Sequence, residues 1–169
     1  LVPIDAGLRI EVRYLVKLFL DPSAGNMVRS LFISSGELAK GARRPKDAPS
    51  TECKKLAVLG AGMMGAGIAY VSALAGIEVV LLDTTIEAAN KGKAWSEGLL
   101  GKALEKGKTT ASVKDAVLAR IKPTTNYADL SGIDLVIEAV FEDRAIKADV
   151  TGKAEAAMPK GSIFASNTS

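Results

Sequence analysis

Residues 56–83 read LAVLGAGMMGAGIAYVSALAGIEVVLLD: an apolar run, a loop with glycines at 60, 62 and 65, a stretch suited to a helix, a second apolar run, and an acid. Gly60 permits a tight turn out of a first strand, Gly62 leaves bare backbone for a bulky group to approach, and Gly65 lets a helix pack closely on that strand. The first turn of such a helix has N–H groups without intrahelical partners, and its dipole favours negative charge. A pyrophosphate answers both conditions. Asp83, ending the second strand, is placed to accept hydrogen bonds from both hydroxyls of an adenosine ribose. The same carboxylate repels a 2′-phosphate, and Thr84 and Thr85 supply no arginine to hold one, so the pattern favours NAD over NADP. Glycine-rich loops are common and most only turn the chain. Here a strand before, a helix after and an acid at the right distance coincide.

A length of 169 residues suits one domain of ordinary size with some extra chain, and 48% hydrophobic with 24% charged residues is an ordinary globular composition. No apolar run approaches the length of a bilayer span, and Asp5, Arg9, Glu11, Arg13 and Lys17 break up any signal-peptide core at the start. A cytoplasmic setting of bacterial type is expected. Cys53 is the sole cysteine, which excludes an internal disulfide and a cysteine-rich metal site, and no metal is expected. A net charge of +3 with interspersed signs and 5% aromatics argues against nucleic acid as a partner. Lys91, Lys93, Lys102, Lys106 and Lys108 cluster around one helix and the turn after it. They read first as a solvated face and second as attraction for a phosphorylated ligand. The chain has no histidine, so hydride-transfer chemistry here lacks its usual base.

Along the chain, Leu8, Val12, Leu15 and Phe19 form a helical stripe that Asp21-Pro22 ends. Ser23 can cap a second helical segment carrying Met27, Leu31 and Leu38. Lys40 to Cys53, KGARRPKDAPSTEC, is charged, proline-containing and nearly free of apolar residues, and reads as a linker. The expected division is therefore a helical connection with its linker over 1–53 and a nucleotide-binding domain over 54–169. Two short helices bury little alone, so the first piece is expected to pack on something else. In the second piece, Thr84 and Glu87 suggest a capping box opening a helix to about Glu105, stopped by Gly107. A shorter helix follows over 112–121, then a brief extended piece after Lys122-Pro123. Residues 133–140, IDLVIEAV, are nearly continuous in apolar character, as a strand buried on both faces requires. A helix over 143–158 and a strand from Ser162 complete the order. The expected fold class is α/β: a Rossmann-type doubly wound parallel sheet. Such folds usually continue with more strands, so the chain is expected to be a truncated piece of one.

Three separated stretches, GAGMMGAGIAYVSALAGIEVVLLD, IDLVIEAVFED and ASNTS, together resemble the NAD-binding domain of 3-hydroxyacyl-CoA dehydrogenase, over about Lys54 to Ser169. RIEVRYLVKLFLDPSAGNMVRSLF is similar to the helical connection before this domain in multifunctional fatty-acid oxidation enzymes, where an enoyl-CoA hydratase part precedes the dehydrogenase. The resemblance implies β-oxidation of an (S)-3-hydroxyacyl-CoA to the 3-ketoacyl-CoA, with hydride passing to NAD. It implies cofactor contacts at Gly60, Gly62, Met63, Met64, Gly65, Asp83, Val140, Phe141, Glu142, Lys147 and Ser169. It also implies substrate contacts at Ser169, whose counterpart helps hold the substrate oxygen near the nicotinamide, and at Lys106, near a basic contact to CoA. The family's catalytic histidine and its orienting glutamate lie downstream of the serine matched by Ser169. No complete catalytic set is therefore expected in this chain, which alone is expected to be inactive. Asp143 stands where the family usually has asparagine, and its extra charge beside Glu142 is expected to weaken contacts near the nicotinamide.

Each assignment has a plainer competitor. Val140 and Phe141 suit core packing, and Glu142 with Lys147 suits a surface ion pair of little consequence. Two other functions stay open: the NAD domain of another β-hydroxyacid dehydrogenase, and an NAD-responsive binding module without chemistry. The partners implied are an acyl-CoA and the remaining dehydrogenase and hydratase domains, with a homo-oligomer left open.

Overall fold

The computed structural model describes residues 2–47 and 52–167. The chain forms two compact units, residues 1–50 and 51–169. In the first, helix α1 (Ile4–Leu20) follows the expected apolar stripe, and α2 (Pro22–Val28) begins at once after Asp21. Ser23 is not the cap of this second helix. The carboxylate of Asp21 accepts from the Ser23 N–H at 2.8 Å, and Pro22 takes the first helical position, where its missing N–H costs nothing. The helical ladder widens over Arg29–Ser34 before α3 (Ser35–Ala39). No residue of α1, α2 or α3 is buried.

The second unit holds five parallel strands among the described residues. They are β1 (Lys55–Leu59), β2 (Glu78–Leu82), β3 (Ile121–Thr124), β4 (Leu135–Glu138) and β5 (Ile163–Ser166), in the order β3-β2-β1-β4-β5. The reversal beside β1 makes the sheet doubly wound. Helices α4 (Met63–Leu74), α5 (Ile86–Glu105) and α6 (Ala111–Ala119) cross one face, and α7 (Arg144–Ala157) with the short turn Tyr127–Leu130 covers the other.

The strands alternate between two cores. Leu56, Val58, Val79, Leu81 and Ile121 point into one with Ala69, Ala73, Leu100 and Val117, whereas Ala57, Leu59, Leu82 and Val136 meet Leu130, Val150 and Ala154 in the other. This two-sided burial explains the unbroken apolar runs in the sequence. Lys122-Pro123 lies within β3 instead of preceding it; as the outermost strand in the described sheet, β3 tolerates the proline's missing donor. The carboxylate of Asp134 accepts from the N–H groups of Lys54 and Lys55 at 2.8 Å each, which fixes the start of β1 against β4.

The expected capping box of Thr84 and Glu87 is replaced by a simple N-cap one residue later. Both the N–H and the hydroxyl of Thr84 donate to Asp83, at 2.6 and 3.1 Å, so Thr85 caps α5 by accepting from Ala88 N–H. The 112–121 helix likewise ends early, at Ala119, because Ile121 is already in β3.

The close packing of α4 on β1 gives a contrast within one helix. A Cβ on Gly65 would stand 1.8 Å from the Gly60 carbonyl oxygen and 3.3 Å from Val58 Cγ1, whereas one on Gly67 meets nothing within 4 Å. In urea unfolding, Gly65→Ala is expected to cost about 1–3 kcal/mol or more, and Gly67→Ala to add about 0.5–1 kcal/mol through helix propensity. Equal effects at the two positions would show that the helix does not rest on the loop.

Candidate functional site

The strand ends at which the sheet reverses carry the glycine loop. Gly60 has φ +96°, and a Cβ there would lie 2.6 Å from the Ala139 carbonyl oxygen, so the loop runs tightly beside the chain leaving β4. Gly62 opens α4 without a side-chain cap and has no atom within 4 Å of an added Cβ. The helix start is thus bare backbone facing open space, which suits an anion. Asp83 reaches across from β2. Its Oδ2 accepts from the Ala61 N–H at 2.6 Å, so this carboxylate also ties the glycine loop to the neighbouring strand. A carboxylate has about four acceptor positions, and three donors use this one.

Beside the loop lies a cleft of about 450 Å³. It is lined by Leu59, Gly60, Leu82 and Asp83, by Tyr127 and Val140, and by Ile146, Val150 and Lys153 of α7. A flat heterocycle can lie among these apolar walls with its ribose at Asp83. Tyr127, Ile146, Val150 and Lys153 were not singled out in the sequence, because helical spacing alone does not tell a cleft wall from core.

At the end of β4 stands a buried acid that sequence reading also passed over. Glu138 has 1% of its side chain exposed. Its Oε1 accepts from Val140 N–H at 2.9 Å, and its Oε2 from Ser166 Oγ at 2.6 Å and Lys147 Nζ at 3.1 Å. Lys147 also pairs with Glu142 at 3.2 Å. Burial pushes the Glu138 carboxyl upward, but the hydroxyl of Ser166, the ammonium of Lys147 and the N–H of Val140 together hold it below its ordinary range. Burial lowers Lys147, and the two carboxylates beside it raise it further, so it stays charged. An acid interrupting the apolar run IDLVIEAV was the signal available in the sequence.

Gly60, Gly62, Met63, Met64, Gly65, Asp83 and Val140 thus gather around the β1, β2 and β4 ends. Met63 and Phe141 are strongly exposed there, at 81% and 78%, and Val140 is half-buried. Lys147 is no loose surface partner of Glu142, since only 18% of its side chain is exposed and it reaches the buried Glu138. Asp143 caps α7, accepting from the N–H groups of Ala145 and Ile146 at 2.8 and 3.0 Å, a task that its carboxylate shares with an asparagine amide. Lys106 is not brought to this group. It follows the last residue of α5, a helix about 30 Å long at 1.5 Å per residue, whose opposite end adjoins Asp83. Ser169 lies outside the described residues. Among those residues no cluster of three or more His, Cys, Asp or Glu side chains could hold a metal, and no helix is long and apolar enough to cross a membrane.

A bare helix start on a glycine loop, an acid one strand away and a cleft between them define a dinucleotide-binding α/β domain. Residues 55–169 match the family of the 3-hydroxyacyl-CoA dehydrogenase NAD-binding domain, and the chain belongs to that family. It is 41% identical over 165 residues to the fatty acid oxidation complex subunit alpha of Pseudomonas syringae pv. syringae, covering 98% of this chain and 23% of that protein. The corresponding subunit of Psychrobacter arcticus is 36% identical, with 99% and 23% covered. The chain therefore spans about a quarter of the length of these relatives. Among solved structures, (S)-3-hydroxybutyryl-CoA dehydrogenase from Ralstonia eutropha superposes with a TM-score of 0.67 at 37% identity, over 70% of this chain and 42% of that one. The dehydrogenase part of multifunctional enzyme 1 from C. elegans gives 0.62 at 26% identity, over 73% and 28%.

The lowered pKa of Glu138 has a defined consequence for acid stability. A carboxyl held below its unfolded value, about 4.3 for Glu, stabilises the fold above that pH and loses the contribution as pH falls through the folded value. Other carboxylates titrate nearby, so the difference between wild type and Glu138→Gln isolates this one. Urea unfolding from pH 3 to 7 is expected to show the two stabilities converging toward the acid end and separated, with wild type higher, at pH 6–7. A constant gap would mean that the charge of Glu138 is not what the network holds.

Proposed function

We propose that this chain is the NAD-binding part of a longer fatty-acid β-oxidation enzyme, in which an (S)-3-hydroxyacyl-CoA passes its hydride to NAD. Family membership over residues 55–169 supports the cofactor, and similarity along 98% of the chain to oxidation-complex alpha subunits supports the multifunctional setting. The carrying observation in the geometry is the joint placement of Gly60, Gly62 and Asp83, with Asp83 bonded to the loop whose helix start faces open space.

In this reading the pyrophosphate lies over β1 against Gly62, Met63 and Met64, and Gly65 keeps α4 close enough for its N–H groups to reach it. The adenosine ribose lies over β2, taking the free acceptor capacity of Asp83, with the adenine in the cleft between Tyr127 and α7. The nicotinamide half then falls over β4 and β5, on the other side of β1, where Val140, Phe141, Glu142 and Lys147 stand. Ser169 follows β5 and is assigned to the substrate oxygen, and Lys106 to the CoA portion. NAD supplies the hydride acceptor when bound. The chain's residues hold and orient the dinucleotide, while the proton of the substrate hydroxyl has no histidine to go to among these 169 residues. The acyl-CoA, the remaining dehydrogenase and hydratase parts and a cytoplasmic setting belong to the same proposal.

Titration calorimetry of the 169-residue chain tests it. NADH is expected to bind more tightly than NADPH, because the carboxylate of Asp83 repels a 2′-phosphate. Asp83→Ala is expected to weaken NADH by about 1–3 kcal/mol, the scale of hydrogen bonds to a charged group, and to narrow the preference. Equal or stronger NADPH binding by wild type would contradict the ribose assignment.

A further inference from the structure

Glu138 is costly to bury, and a well-packed apolar residue at such a site is often neutral or stabilising. Fold stability is therefore a weak account of why an acid stands there. Its bonds point to another account. The donors come from three separate segments: Lys147 from α7, Ser166 from β5 and Val140 from the turn after β4. The backbone joins in, since the Glu138 carbonyl oxygen accepts from Asn167 N–H at 2.7 Å. One residue thus fixes the direction in which two strands leave the sheet and the position of the lysine between them. None of these hydrogen bonds is made to the glycine loop or Asp83, which hold to each other through the Ala61 N–H; only Val140 borders that side, lining the cleft with Gly60 and Asp83.

We propose that Glu138 is a positioning residue for the nicotinamide half of the dinucleotide, acting through Lys147. Its carboxylate holds the Lys147 ammonium at the end of β4, where that half lies, and ties it to Ser166 of β5. The inference rests on the reading above that the nicotinamide half lies over β4 and β5. Lys147 is shared between Glu138 and Glu142. With Glu138 neutralised it keeps one charged partner, the exposed Glu142, and loses the buried carboxylate that fixes its position.

The test separates the two halves of the ligand. ADP carries the adenosine and both phosphates but no nicotinamide, so it reads the Asp83 and glycine-loop side only. Dissociation constants for NADH and ADP are measured by titration calorimetry on the 169-residue chain as wild type, Glu138→Gln, Ser166→Ala and Asp83→Ala. Glu138→Gln is expected to weaken NADH by about tenfold or more, the scale of a charge-assisted hydrogen bond, and to leave ADP within about twofold. Ser166→Ala keeps the charge pair and removes one neutral donor; it is expected to weaken NADH about threefold, again sparing ADP. It also carries the test if Glu138→Gln does not fold. Asp83→Ala is expected to weaken both ligands together.

Equal weakening of NADH and ADP by the Glu138 and Ser166 variants would reduce Glu138 to a structural residue and overturn the proposal. So would unchanged NADH affinity in both, while the Asp83→Ala loss would leave the dinucleotide reading standing. Absence of NADH binding by folded wild type would remove that reading, and this inference with it.

Discussion

The backbone at Gly60 and Gly65 comes so close that a single added methyl group at position 65 would overlap the Gly60 carbonyl. This contact sets how near α4 lies to β1, and so whether the first turn of the helix faces the strand ends. Asp83 holds the same loop from the other side through the Ala61 N–H. Gly92 of α5 continues the close packing, since a Cβ there would meet Ala61 and Leu81 at about 3 Å. Four short approaches, at Gly60, Gly65, Ala61 and Gly92, thus define one rigid corner of the sheet. Binding groups built on it need little reorganisation when a ligand arrives.

That corner was legible in the sequence because its demands are local and exclusive: glycines where no side chain fits, and an acid at a strand end. The parallel sheet covered on both faces also followed from alternating strand and helix patterns. Element boundaries were less legible, since they depend on competition among neighbours. Thr84 would have capped α5 had Asp83 not taken its N–H and hydroxyl. Ser23 lost its capping role to Asp21 because Pro22 favours starting the helix itself. The run at 133–140 is largely apolar, yet the regular strand covers only Leu135–Glu138, because the chain turns aside where Gly60 passes Ala139.

Glu138 shows why a tertiary network escapes a one-dimensional reading. Its partners lie 2, 9 and 28 residues away in sequence, and only the parallel register of β4 with β5, pairing Glu138 with Ser166, brings the last of them to it. The cleft wall on α7 is similar: Ile146, Val150 and Lys153 share one helical face, and only the fold distinguishes that face from ordinary core. The functional surface of this domain therefore has a part written in local motifs, around Gly60 to Asp83. A second part, around Glu138, is written in which strand lies beside which.

The central claim is that the dinucleotide lies across the ends of β2, β1 and β4, with the glycine loop at its middle. Backbone amide chemical shifts of the isotope-labelled chain during titration with NADH test this most directly. The expected result is saturable shifts at Gly60 to Gly65, at Asp83 and Thr84, and at Val140 to Glu142. Saturation by NADH that leaves the Gly60 to Gly65 amides unshifted would contradict it.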